Sequence, residues 1–245
     1  MITTNLPFAN TSLPVASSFR EQILSIPSLL FWFQVNTGLI TGGSTPSQLA
    51  DKKGSAAILT QGTANQRGTV QNNAFGQYPG LLFDGSNDEY LVSGITSPDT
   101  NNDFSWCAIL AAENVGASTQ FASNFAATNV GSFMGLTSTG QMRMRHGSGQ
   151  LETDYTSLSR AVVVIGKSAG VLRMRLNGGP TLSVGTNNAG STSTLRIGRL
   201  SSGGAQPFKG LMSDFMHFNA DLFGDMSKVR MLEKFAARAY GISLA

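Results

Sequence analysis

The sequence predicts an all-β fold: an antiparallel β-sandwich with an extended N-terminal arm and one C-terminal α-helix. Three observations carry that prediction. Short apolar runs recur along most of the chain, each bounded by clusters of Gly, Asn, Ser and Thr, which punctuate strands rather than helices. Two segments, Gln141-Met142-Arg143-Met144-Arg145 and Val171-Leu172-Arg173-Met174-Arg175-Leu176, alternate strictly, so that their arginines share one face and their apolar residues the other. Only the residues after 225 keep a helical period over several turns.

Residues 1–27 form the arm. They are poor in charge, contain Pro7, Pro14 and Pro27, and lack a sustained period, so a short helix is expected only around 18–24. The sandwich occupies residues 28–245. Its strands are expected at 29–35, 56–60, 80–84, 90–92, 104–112, 132–136, 141–146, 161–167, 171–176, 195–198 and 208–218. Between the third and fourth lies Asp84-Gly85-Ser86-Asn87-Asp88-Glu89. Asp-Gly there supplies the positive φ of a hairpin-type turn, and the Asp, Asn and Ser side chains can bond the local backbone. Asn177-Gly178-Gly179-Pro180 reverses the chain toward a strand at 181–184, a hairpin signal. Asp225 can cap a helix over Met226–Tyr240, where Val229, Leu232, Phe235, Ala236 and Ala239 form an apolar stripe and Gly241 provides the stop. Lys228, Arg230, Lys234 and Arg238 form a solvated cationic face on a helix expected to lie over the sandwich.

Composition narrows the function. At 245 residues and 41% hydrophobic, the chain can build one large sandwich core. Charged residues are only 13%, about half the usual share, so the surface must be mostly Ser, Thr, Asn, Gln and Gly. Neutral polar groups are cheaper to desolvate than ions, which suits a surface that packs into an assembly or faces sugars. The charge is +3 and the pI about 9.2, but the basic residues are scattered, so no nucleic-acid partner is expected. The lone Cys107 excludes an intrachain disulfide framework and fits a reducing cytoplasm. The start Met1-Ile2-Thr3-Thr4-Asn5-Leu6-Pro7 lacks a secretory pattern, and the apolar run Leu29-Leu30-Phe31-Trp32-Phe33 is far too short to span a bilayer, so neither export nor a membrane is expected.

Four segments together carry a family likeness. They are Leu30-Phe31-Trp32-Phe33 with Leu49-Ala50-Asp51-Lys52-Lys53-Gly54; the run Leu82-Phe83-Asp84-Gly85 through Leu91; Leu195-Arg196-Ile197-Gly198 with Phe208-Lys209-Gly210-Leu211-Met212-Ser213-Asp214-Phe215; and Ala239-Tyr240-Gly241-Ile242. In this order the chain resembles the concanavalin A-like lectin/glucanase superfamily, in the laminin-G-like jelly-roll form found among bacteriophage structural proteins. Two departures stand out: Gln34 replaces the acid of the family's Leu-Trp-Leu-Asp, and Leu49 replaces the Trp before Ala-Asp-Lys. Both keep the apolar pattern, while loss of the acid weakens a metal or polar site at Gln34.

Candidate chemistry is sparse. Glu152 and Asp154 would share a strand face as the acids of a glucanase do, but Thr156 stands where the resemblance requires a third acid, so a solvated loop or edge strand is expected. His146 and His217 are the only histidines, no Gly-x-Ser-x-Gly elbow occurs, and Cys107 sits in an apolar strand, so no catalytic residue is assigned. Zinc lacks ligands. Asp84, Asn87, Asp88 and Glu89 offer oxygens to calcium, but they also explain themselves as turn formers; no metal site and no cofactor is assigned. Tyr78, Tyr90 and Tyr155 with Asn87 and Asn129 are candidates for sugar contact without a distinctive constellation. The resemblance implies a non-enzymatic virion structural protein, a capsid decoration or compact tail or baseplate component. Its partners would be other virion proteins and copies of itself, a trimer by analogy, and it would assemble in the host cytoplasm. The alternative is a carbohydrate-binding module for host-surface glycans.

Overall fold

A computed structural model describes residues 14–35, 40–94, 100–187, 189–191, 193–200 and 206–245. In chain order the elements are α1 (Pro14–Leu24), β1 (Leu29–Gln34), β2 (Ile40–Thr41), β3 (Gln48–Ala50), β4 (Ile58–Thr60), β5 (Thr69–Phe75), β6 (Tyr78–Asp84), β7 (Tyr90–Ser93), β8 (Phe104–Ala112) and β9 (Thr119–Ser123). There follow β10 (Ser132–Leu136), β11 (Met142–His146), β12 (Gly149–Thr153), β13 (Ala161–Ser168), β14 (Val171–Leu176), β15 (Leu182–Gly185), β16 (Arg196–Ile197), β17 (Lys209–Phe218) and α2 (Met226–Tyr240). Two antiparallel sheets face each other. The first runs β15-β14-β13-β8-β17-β6-β5 with β1 on the far half of β17; the second runs β12-β11-β10-β9-β16-β7-β4-β3-β2.

The fold has three layers, and β8 explains why. All nine of its residues are buried. Phe104, Trp106, Ala108 and Leu110 face the core between the sheets, while Cys107, Ile109 and Ala111 face a second core beneath the helices. An uninterrupted apolar strand needs cover on both sides, and α1 and α2 supply the second cover. In the inter-sheet core, Phe121 and Phe208 meet edge-on at 5.1 Å and Phe83 packs on Phe208 at 5.7 Å. In the outer core the Phe235 ring stands against Trp32 at 5.4 Å and 88°. The helix ends follow the sequence: Asp225 accepts from the Ser227 backbone N–H at 3.1 Å, and Gly241 takes φ 66°, a conformation that costs a side-chain-free residue nothing.

Buried acids lock the layers. Asp51 Oδ1 accepts from the backbone N–H groups of Trp32 and Lys53, and its Oδ2 from that of Ser55, which fastens the Asp51-Lys52-Lys53 turn to β1. Asp214 Oδ1 accepts from Trp32 Nε1 at 2.6 Å and Gln34 Nε2 at 3.2 Å, and Gln34 also donates to the Tyr240 hydroxyl at 2.8 Å. The polar site doubted at Gln34 therefore exists, its acid coming from β17. Full burial raises the Asp214 carboxyl above its ordinary pKa.

Two expectations change. The short helix expected around 18–24 forms and starts earlier, at Pro14; Ile23 and Ile26 enter the outer core of their own domain, and residues 1–13 lie outside the described residues. The Asp84-Gly85 turn, with Gly85 at φ 82°, does not join a hairpin: β6 pairs with β17 and β5, β7 with β16 and β4, so the turn carries the chain from one sheet to the other. β14 is half exposed, as its alternation implies, and its outward arginines carry partners. Arg173 pairs with Asp221 at 2.9 Å and Arg175 with Glu233 at 2.8 Å, flanking α2.

Candidate functional site

Each residue singled out for chemistry has a place. Asp84 accepts from the Ser86 backbone N–H at 2.7 Å, Asp88 from that of Asp84 at 2.9 Å, and Glu89 pairs with Arg196 at 2.6 Å. The loop oxygens are thus turned to separate partners, and no cluster of three metal-binding side chains occurs among the described residues. His217 accepts at Nδ1 from Trp106 Nε1 at 2.6 Å, and burial pushes its pKa down to about 3. His146 Nδ1 lies 2.8 Å from the Ser132 hydroxyl, and burial, with nearby Lys167, pulls it to about 4. Ser132 and His146 are both 0% exposed, and His146 Nε2 has no partner among the described residues, so this pair lacks access and, among those residues, an orienting carboxylate. Burial raises the Cys107 thiol well above its ordinary value.

The tyrosines are structural. Tyr90 is fully buried and donates to the Pro46 carbonyl, Tyr155 donates to the Ser159 carbonyl at 2.6 Å, and Tyr78 packs edge-on against Tyr240. Tyr155 also lines a recess of about 470 Å³ with Asp154, Arg160, Asn177 and Ile242. Asn87 stays on the turn. Only Asn129 joins a constellation.

That constellation lies on the outer face of the second sheet at β10, β11 and β12. The strict alternation of β11 turns Met142 and Met144 into the core and Arg143 and Arg145 outward. Register places Gly135 and Glu152 opposite Arg143, and Phe133 and Gln150 opposite Arg145. Position 135 must be glycine, since a Cβ there would sit 1.9 Å from the Thr119 carbonyl oxygen. The Arg143 guanidinium lies 5.1 Å over the Phe133 ring and that of Arg145 5.9 Å over Phe125; the two rings meet edge-on at 5.5 Å. Phe133 is only 6% exposed, so the rings are less a stacking platform than a floor holding two planar cations. Arg145 donates to the Asn129 side-chain oxygen and, at 3.2 Å, to the Gly147 carbonyl. Arg143 makes no hydrogen bond or ion pair within the described residues, and its Nε is buried without a partner. Burial lowers its pKa; Glu152 opposes that shift and Arg145 adds to it. Glu152 is exposed and accepts from Gln150 instead. Sequence reading identified the alternation of β11 but not Phe125 and Phe133, because nothing local shows that a loop and a neighbouring strand place rings beneath those arginines.

No protein-family model matches the chain, and no curated protein matches it by sequence. Solved structures do. The binding domain of botulinum neurotoxin serotype D matches with a TM-score of 0.62 at 14% identity, over 84% of this chain and 50% of that one. Trypanosoma rangeli sialidase in complex with 2,3-difluorosialic acid matches with a TM-score of 0.62 at 14% identity, over 91% and 37%. A structure of botulinum neurotoxin type C, whose cell entry depends on interaction with two ganglioside molecules, matches with a TM-score of 0.61 at 14% identity, over 90% and 53%. The chain thus spans between about a third and a half of the proteins it matches. At this identity the likeness establishes the fold, an all-β sandwich.

Proposed function

We propose that this chain is a non-enzymatic carbohydrate-binding module and that its saccharide surface is the outer face of β10, β11 and β12. One observation carries the reading: two guanidiniums over phenylalanine rings, with the amides of Asn129 and Gln150 beside them, on an open sheet face. Arginine presents five N–H donors in a fixed plane, and amides add both donors and acceptors, a combination suited to hydroxyl-rich ligands. Holding the guanidiniums against rings reduces the side-chain entropy lost on binding. The sparing use of charge elsewhere on the surface and the sandwich folds of the toxin and sialidase neighbours support the same reading.

A glycan array, run with and without calcium, tests this. We expect selective binding that is abolished by Gln150→Trp, which places a bulky ring beside Arg145 at an exposed position without entering the core. An array with no binding overturns the module; binding that survives the Trp moves the site off this face. A second reading, a virion component of a bacteriophage on which the module is mounted, rests on the low charge and the sequence likeness. Its test is mass spectrometry of purified particles together with the solution oligomeric state, and a monomer absent from particles would end it.

A further inference from the structure

We infer that this face selects anionic saccharides, carrying carboxylate or sulfate, whose acid group is received by Arg143 together with Arg145; the inference rests on the carbohydrate-binding reading above. A half-buried cation normally has a hydrogen-bond acceptor or a counterion, because desolvation without compensation is costly. Every other arginine in a strand on the described surface has one: Arg173 pairs with Asp221, Arg175 with Glu233 and Arg196 with Glu89, while Arg145 donates to Asn129 and the Gly147 carbonyl. Arg143 is the exception, although a carboxylate stands next to it.

The register puts Glu152 directly across from Arg143, yet the two make no ion pair within 4 Å, and Glu152 takes the Gln150 amide at 2.8 Å. The Arg143 guanidinium is instead drawn over the Phe133 ring, on the side nearer Arg145. Residues two apart on a strand project from one face about 6.5–7 Å apart, so both guanidiniums can reach a single oxyanion or two neighbouring acid groups on a sugar chain. Like charges at this distance repel, and an anion between them relieves that repulsion as well as satisfying the N–H groups. Asp154, the other nearby acid, accepts from Gln141 at 3.2 Å beyond the end of β12. A purely structural arginine would need only the ring beneath it and would be indifferent to added anions.

Isothermal titration calorimetry tests the inference with four probes: an oligogalacturonate, a chondroitin sulfate tetrasaccharide, a neutral galacto-oligosaccharide, and a short single-stranded DNA as a non-saccharide polyanion. We expect one or both acidic saccharides to bind more tightly than the neutral one, with affinity that falls as salt rises. Arg143→Gln should weaken the acidic saccharide by about tenfold or more, the loss of one charge-assisted contact, and weaken any neutral saccharide by clearly less. Glu152→Gln should strengthen acidic binding by a few-fold, roughly the effect of removing one exposed like charge. Because Glu152 is exposed, that variant remains informative even if Arg143→Gln lowers stability. Neutral saccharide bound as tightly as acidic, with no response to Arg143→Gln or Glu152→Gln, overturns the inference and leaves the module standing. DNA bound more tightly than any saccharide overturns the inference in favour of a nucleic-acid surface. No saccharide bound overturns both.

Discussion

Replacing Phe235 with Ala asks whether α2 is part of the folding unit or a detachable cover. Phe235 is 1% exposed, with its ring edge-on to Trp32 at 5.4 Å and to Tyr240 at 5.7 Å, and both of those residues join the Gln34 and Asp214 network. Truncating a buried Phe costs about 3–5 kcal/mol, since the cavity is added to the lost transfer energy. Unfolding entropy near 2.1 cal/mol/K per residue gives about 0.5 kcal/mol per degree for a chain of 245 residues. The melting temperature should therefore fall by about 6–10 °C in scanning calorimetry. Near-ultraviolet circular dichroism, sensitive to the packing of Trp32, should lose its signal in the same transition as the sheet signal. Lys234→Ala, on the exposed face of the same helix, should shift the midpoint by no more than about 1 °C. A Phe235→Ala midpoint within about 2 °C of wild type, or a helix that melts before the sheets, would refute the three-layer account.

Three further outcomes follow from particular contacts. Glu233→Gln leaves Arg175 half-satisfied beside a buried site and should cost about 3–5 kcal/mol by denaturant titration, whereas Glu113→Gln, which breaks the exposed pair with Lys209, should cost less than about 1 kcal/mol; equal costs would contradict the burial argument. Cys107 should resist a thiol reagent in the native protein and react only at the rate of unfolding, and rapid native labelling would place β8 at the surface. His217 and His146 titrate at about 3 and about 4 when folded and near 6.5 when unfolded, so the unfolded chain binds more protons between those values. Stability should fall as the pH drops from about 6.5 toward about 4, with the raised Asp214 acting in the opposite sense. His217→Gln, which keeps an acceptor for Trp106, should flatten that slope, and an unchanged slope would show that His217 does not set it.

Much of the architecture was legible because strand signals are local. The runs at β1, β8, β10 and β14 and the capped helix α2 lie within a residue or so of where alternation, turn residues and the cap place them. The strands that escaped are those whose residues carry little apolar pattern. β5, Thr-Val-Gln-Asn-Asn-Ala-Phe, is an edge strand with mostly exposed side chains, so no buried face imposed alternation on it. β9 is a short, mostly polar segment held by its neighbours in the sheet, whereas at Glu152, where a loop or edge strand is expected, the edge strand β12 forms and ends at Thr153.

The sequence by itself determined the class of the fold, the helix at its end and the alternation that puts Arg143 and Arg145 on one side of β11, because each depends on residues a few positions apart. Only the tertiary structure decided that the Asp84-Gly85 turn changes sheets and that Asp214 supplies the acid missing at Gln34. It likewise placed Phe125 and Phe133 under two arginines, one of them without a counterion among the described residues. These depend on partners brought together by strand order and packing, from as far apart in the chain as Gln34 and Asp214. Periodicity gives the face on which a side chain stands; what it meets there is set by which strands lie alongside.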